Sequence, residues 1–509
     1  MALNNVSFNL GTGGNGRPIP GQHYISGLIF YSSVLPSGFT TSNRVKAFYS
    51  INDAIAAGIT LNYAGETKAT ASFLVTTPGT TGDVITLSVA EPLSKTVVIG
   101  SYPKASTDTT ASLVATAIAA AINAGTNTHG YTASASTATV TITARAGLGV
   151  FLNTGSPLTA AYSSGATMAG TVTQFAAGVA DPIAVWYYHI SEFFRIQPKG
   201  ILYVGIYAVP GTYTFTEIQT VQNFSNGIIR QFGIFKDPAS AFASADITTI
   251  HGVCNTLVGL HKECIALYAA DISGTSDVST LTDLSTLSAY YCSAVIGQDG
   301  AALGAKLYAA YGKSITTLGA TLGAVALAKV AQSIAWVNQF NMDNGTELDT
   351  IAFANGVLFT NAIVTDSYLS TMQNHRYIFL RKFVGVTGSF HNENSTSVAT
   401  SSPYAYIADN RTMQKATRGI YANIVGALNS PITLNSDGTI SDQAIAYFTG
   451  LAEAPLIQMI RDGELSGESV SISSTQNVAS TGILTINVNL VEIATGRNIS
   501  VNIGYNVSV

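Results

Sequence analysis

From Asp181 onward the chain repeats one pattern: short runs that are apolar on both faces, separated by stretches with helical spacing. The runs are ILYVGIYA (201–208), IIRQFGIF (228–235), ECIALYAAD (263–271), YCSAVIG (291–297) and YIFLRKFV (377–384). A strand with no polar face must be covered on both sides, so the series predicts a largely buried sheet flanked by helices. Helical spacings fall at 215–226, 244–261, 280–289 and 323–338. The expected fold class is α/β (α+β multidomain), with a central mixed sheet covered by helices.

The same logic starts near the N-terminus. Residues 1–20 are rich in Gly, Asn and Pro and read as extended or flexible, and Tyr24 to Tyr31 then reads as a strand. RVKAFYSINDAIAAG, from Arg44 to Gly58, predicts a strand and a short helix capped by Ser50 and stopped by Gly58. Composition then shifts. From Ala105 to Ala180 the only charges are Asp108 and Arg145. Period-two alternation at Ile85, Leu87 and Val89, and at Val140 and Ile142, brackets TDTTASLVATAIAAAINAG. In that segment Val114, Ile118 and Ile122 share a helical face and Gly125 ends it. Residues 67–178 therefore read as a small β-rich domain inserted into the larger one. At the other end, helices are expected at 411–429 and 440–462. Two alternating strands joined by a turn at Thr495-Gly496 follow, with Ile483, Val488, Leu490, Ile493, Ile499, Val501 and Ile503 supplying their apolar faces.

Charge narrows the function. Of 509 residues, 47% are hydrophobic but only 10% are charged, against roughly 25% in an ordinary soluble protein. A dispersed monomer normally carries more surface charge. Sparse charge with abundant small polar residues suits a surface buried against copies of itself. The net charge of −5 excludes a strongly basic nucleic-acid footprint. Three cysteines, Cys254, Cys264 and Cys292, make no disulfide framework. The opening MALNNVSFNLGTGG has neither a basic start nor an apolar core, so export by the usual route is not expected. The most apolar stretch, Ile315 to Ala328, is broken by Thr and Gly and closed by Lys329, so no membrane insertion is expected.

Catalytic and ligand motifs fail on context. The glycines at 11, 13, 14 and 16 precede Pro18 and Pro20, which preclude the helix a phosphate loop must open. Gly312-Lys313-Ser314 lacks the leading glycine, since position 307 is Leu307. His251-x-x-Cys254 and His261-x-x-Cys264 have helical spacing and zinc-type ligands, but Leu257, Leu260 and Ile265 share the segment, and a buried helix leading into a strand accounts for it. No nucleophile elbow is found. Asp409, Asp437 and Asp442 sit in turn or cap contexts. No enzyme activity, cofactor or metal site is expected.

One charge asymmetry remains. Between Arg376 and Arg418 six basic residues (376, 381, 382, 411, 415, 418) face two acids, and between Asp437 and Glu468 six acids (437, 442, 453, 462, 464, 468) face Arg461 alone. Either these are two solvated faces of one domain, or they are complementary surfaces that set register between subunits or against a partner.

The order of parts resembles the contractile tail sheath family of phages and related injection machines. The resemblance rests on PGQHYISGLIFYSS (20–33), VKAFYSINDAIAAG (45–58), the small β domain at 67–178, RTMQKATRGIYANIVGALNSPI (411–432), and IQMIRDGELSGESVSI (457–472) before the final strands. It implies a virion tail component assembled in the bacterial cytoplasm, stacking as hexameric rings around an inner tube and meeting baseplate and tail terminator proteins. Terminal arms would add strands to neighbouring subunits, and contraction would drive the tube through a target envelope. The parts become a flexible arm (1–21), the first part of the core (22–66), an outward-facing insertion (67–178), the α/β core (179–400) and a C-terminal domain (401–509). That last domain would end in a β-hairpin with an exchangeable strand. Tyr24, Ile25, Leu28, Ile499, Val501 and Ile503 are then expected in exchanged strands. Arg411, Lys415, Arg418, Glu453, Arg461, Asp462 and Glu464 are expected to face the tube or set register. Another virion or surface-layer component, such as a capsid or baseplate protein, would share the composition. A surface carbohydrate-binding protein should show an export signal and clustered carboxylates with aromatic platforms, and neither is found.

Overall fold

A computed structural model describes residues 21–236 and 241–505. The described chain divides into two compact units, residues 22–410 and 411–505.

The larger unit is organised by a six-stranded sheet. In spatial order its strands are Cys292–Val295, Ile265–Ala269, Gln231–Phe235, Ile25–Tyr31, Ile201–Tyr207 and Val45–Phe48. The first five run parallel and only Val45–Phe48, at the edge, is antiparallel. Four of the five apolar runs supply strands of this sheet. Alternate side chains go to opposite faces, and each face has its own core. Leu28, Phe30, Leu202, Val204 and Leu267 pack with helices Ile51–Ala56, Pro182–Ile196, Leu303–Tyr311 and Leu318–Leu327. Ile25, Ile29, Phe232, Ile234, Ala266 and Tyr268 pack with helices Glu217–Phe224, Ser244–Gly259 and Asp366–Asn374. The short helix Ile51–Ala56 begins as expected at Ser50, which forms a capping box with Asp53.

Three elements differ from expectation. Residues 280–289 form no α-helix; single 3-10 turns at Val278–Thr280 and Leu284–Thr286 are capped by Asp277 and Asp283, which compete locally for the backbone. The helix expected at 323–338 is Leu318–Leu327, with every residue from Leu318 to Ala326 buried. The fifth apolar run does not join the sheet as a strand. Ile378 makes an isolated bridge to Val295, and Leu380–Phe383 then pairs with Val386–His391 as a separate hairpin.

Within the larger unit, residues 69–175 share a core of their own. A four-stranded antiparallel sheet (Thr132–Ser136, Thr139–Thr143, Thr70–Thr77, Ala169–Ala176) and a three-stranded one (Lys95–Pro103, Val84–Glu91, Leu158–Tyr162) enclose helix Ala111–Ala124. Ile85, Leu87, Val89, Val114, Ile118, Ile122, Val140 and Ile142 are all buried. Both charges of the stretch 105–180 are used internally. Arg145 grips Glu91 through Nε at 2.6 Å and Nη2 at 3.0 Å, while Tyr131 donates its hydroxyl to the same carboxylate at 3.0 Å. Asp108 accepts the Tyr102 hydroxyl. At the neck, Glu66 accepts the N–H groups of Gly147, Leu148 and Gly149 at 2.7, 3.0 and 2.6 Å. Asp181 accepts that of Gly65 at 3.1 Å. The two linkers are thus pinned by charge-assisted hydrogen bonds.

Candidate assembly surfaces

The C-terminal unit holds all seven residues expected to face the tube or set register, and the structure divides them. Helix Ile407–Ile424 leads into the unit, and helix Asp442–Arg461, capped by Ser441, packs beside a two-stranded antiparallel ladder of Gly467–Ser471 with Asn487–Val491. Ala416, Leu456, Met459 and Leu465 form its small core, with Ile420, Val470, Val488 and Leu490 against them. Three of the seven expected register charges are corrected. Arg411 and Glu464 are buried, and Lys415 is mostly buried in an ion pair with Glu464. Burial pushes the Arg411 guanidinium down to about 10, with Glu464 opposing the shift. These charges have their partners inside the chain and cannot read a tube surface. Arg461 and Asp462 are exposed, and Arg418 and Glu453 are half-buried. Burial and the adjacent Glu453 charge together push the Glu468 carboxyl up, leaving an acidic pair on this unit.

The two expected arms fare differently. Ile25–Tyr31 is the middle of the central sheet, paired on one side with Ile201–Tyr207 and on the other with Gln231–Phe235. Ile25 and Leu28 are buried and Tyr24 half-buried. With both edges occupied, this strand has none to offer a neighbour, which corrects the assignment of Tyr24, Ile25 and Leu28 to an exchanged strand. The flexible-arm expectation for residues 1–20 lies outside the described residues. At the other end, the hairpin expected about Thr495-Gly496 is not formed. Asn487–Val491 takes Gly467–Ser471 as its partner, and residues 492–505 join no ladder. Ile499, Val501, Ile503 and Tyr505 are 84%, 77%, 94% and 110% exposed. Four apolar side chains at period two, alternating with Ser500, Asn502 and Gly504, make the face of a strand that lacks a sheet.

A surface groove in the same unit was not expected from sequence. It holds about 490 Å³ and is lined mainly by apolar residues, among them Leu428, Ile432, Leu434, Phe448, Leu484 and Ile486. Its walls come from segments on either side of the helix Asp442–Arg461, so no single sequence window shows it.

Residues 67–394 match the N-terminal domain of the DUF2586 family, and residues 404–509 match its C-terminal domain. The chain belongs to the DUF2586 family. The central strand Ile25–Tyr31 lies outside both matched segments, although it pairs within the sheet of the first. No curated protein matches the chain. Among solved structures it is similar to the helical sheath of the anti-feeding prophage (AFP) in the contracted state, at 14% identity over 63% of this chain and 81% of that one, with a TM-score of 0.45. It is also similar to a chain of the six-fold symmetrised AFP baseplate (13% identity, 64% and 81% covered, TM-score 0.43). A third similar chain comes from the contracted PVC sheath complex of an extracellular contractile injection system (15%, 63% and 80%, TM-score 0.41).

The ligand-type residues of this DUF2586 chain serve packing. Cys254, Cys264 and Cys292 are buried together beneath the sheet. The Cys254 thiol is raised by its hydrogen bond with Cys264 and by burial. His251 accepts the Tyr291 N–H at 3.3 Å and stacks on that ring. Among the described residues, no group of three or more His, Cys, Asp or Glu side chains is placed to hold a metal ion. No helix among them is long and apolar enough to cross a membrane.

Proposed function

We propose that this protein is the structural subunit of a contractile sheath, polymerising as stacked hexameric rings around an inner tube and contracting to drive that tube through an envelope. The role is mechanical and non-catalytic. One observation supports it: among the described residues the terminal strand face of Ile499, Val501, Ile503 and Tyr505 is exposed and pairs with no strand. In the two-stranded ladder Gly467–Ser471/Asn487–Val491, neither strand has a second neighbour among the described residues. An unpaired strand and an open edge satisfy one another by strand addition between copies. Such a tether is bonded along the main chain and survives rigid-body movement of the bodies it joins. The low overall charge fits a surface largely covered by neighbours. Inner-tube, baseplate and terminator proteins are the partners of such a subunit, and the virion tail or an injection particle is its place. Arg461, Asp462, Glu453 and Arg418 remain the candidates for reading the tube or setting register.

Negative-stain microscopy of the purified protein tests the reading. Hollow helical tubes are expected. Closed shells or flat sheets would instead indicate a capsid, baseplate or surface-layer role.

A further inference from the structure

The insertion leaves and re-enters the core through two linkers that run side by side. Thr67 and Val179 exchange both of their main-chain hydrogen bonds, at 3.0 and 2.8 Å. A two-stranded ribbon is marginal by itself and twists readily, so a body hung on this one alone could swing. The chain, however, meets the core a third time. The loop at 147–149, from the middle of the insertion's sequence, returns to the neck, and the Val150 N–H donates to the Ala310 carbonyl at 2.8 Å. Ala310 lies in the last turn of helix Leu303–Tyr311, so the loop satisfies one of the carbonyls that a helix end leaves free.

Glu66, on the first linker, holds this loop. Its carboxylate accepts three successive N–H groups, those of Gly147, Leu148 and Gly149. Gly147 and Gly149 stand at φ +83° and +46°, which turns the amides toward one point in the manner of an anion-binding nest. Backbone meets backbone here with no side chain between. A Cβ at Gly149 would stand 2.1 Å from the Ala310 carbonyl oxygen, and one at Gly178 would stand 2.1 Å from the Gly149 oxygen. The cavity left among Tyr63, Glu66, Gly147, Asp181 and Tyr311 is about 10 Å³, room for no more than one water. On the second linker, one oxygen of Asp181 accepts the Gly65 N–H, and the other caps helix Pro182–Ile196 through the Ile183 N–H at 3.0 Å.

We infer that Glu66 is a latch: by gripping the loop at 147–149 it turns a two-linker neck into a three-point attachment and makes insertion and core one rigid body. A force on the insertion then passes to helix Leu303–Tyr311 through Ala310 and to helix Pro182–Ile196 through Asp181. Without the latch the insertion pivots at Thr67 and Val179, where a few linker residues absorb the rotation. The inference goes beyond the sheath reading and does not depend on it.

Double electron–electron resonance on the full chain, diluted with unlabelled protein so that only distances within one chain are read, tests it. One spin label sits at Ser134→Cys in the insertion and the other at Asn52→Cys in the core, while Asn52→Cys with Thr248→Cys is the control pair within the core. All three positions are exposed and the native cysteines are buried, so the label reads only the introduced thiols. Wild type should give a single narrow distance distribution across the neck, as narrow as that of the control pair. Glu66→Ala should make the distribution across the neck about twofold broader and leave the control pair and the circular dichroism unchanged. Glu66→Gln keeps the size but loses the charge; it should broaden the same distribution, and it decides the case if Glu66→Ala does not fold. A broad distribution in wild type, or variants as narrow as wild type, would overturn the inference.

Discussion

Glu347 shows how a single half-buried acid makes the fold sensitive to pH. Its carboxylate is half-buried, accepts a hydrogen bond from the Leu303 N–H, and faces Asp299 and Glu192. The nearby cation, Arg195, is already held by Glu192 at 2.6 and 2.8 Å, and the buried Tyr188 hydroxyl stands beside Asp299 without a partner. Burial, then the two neighbouring carboxylates, push the Glu347 carboxyl from 4.5 up to about 7. The folded protein therefore holds a proton between those values that the unfolded chain releases. The contribution to stability is complete below pH 4.5 and is lost as pH rises through about 7. Glu347→Gln should melt higher than wild type at pH 8 and at the same temperature near pH 4.5; equal melting temperatures at both would refute the assignment. The charge asymmetry between 376–418 and 437–468 was legible at this scale, but its use was not. A sequence does not say whether the partner of Arg411, Lys415 or Glu464 lies within the chain or outside it.

At the scale of elements, signals carried within one segment were readable. Ser50 capping Ile51–Ala56, and Gly125 ending Ala111–Ala124, needed only local chemistry. Helix Leu318–Leu327 was misplaced because it is buried on every side and so has no amphipathic period. Its glycines explain how it fits. A Cβ at Gly319 would stand 2.1 Å from the His189 carbonyl oxygen, so the helix can lie against Pro182–Ile196 only with hydrogen at that position. Gly319→Ala should destabilise the larger unit by about 1–3 kcal/mol through overpacking, seen as an earlier unfolding transition. The exposed Gly252→Ala, where nothing stands in the way, is the control and should not lower it. The terminal hairpin was misread for a different reason. Alternation in 487–503 identifies strand-forming segments but not their partners, and Asn487–Val491 pairs with the less apolar Gly467–Ser471.

For the whole molecule, a buried sheet flanked by helices and a separate β-rich insertion followed from composition and periodicity. The position of Ile25–Tyr31 did not. It lies parallel to Ile201–Tyr207, with the insertion between them in sequence, and local patterning carries no record of so distant a pairing. An isolated apolar run near a terminus reads equally well as an arm or as a central strand. With that strand committed to the core, the strand exchange proposed above rests on the C-terminal segment, where the apolar face is bare among the described residues. The most direct measurement compares the full chain with one lacking residues 498–509, by sedimentation velocity and negative-stain microscopy at matched concentration. The expected result is tubes from the full chain and a folded monomer, with unchanged circular dichroism, from the shortened one. Tubes of the same form from the shortened chain would contradict the account.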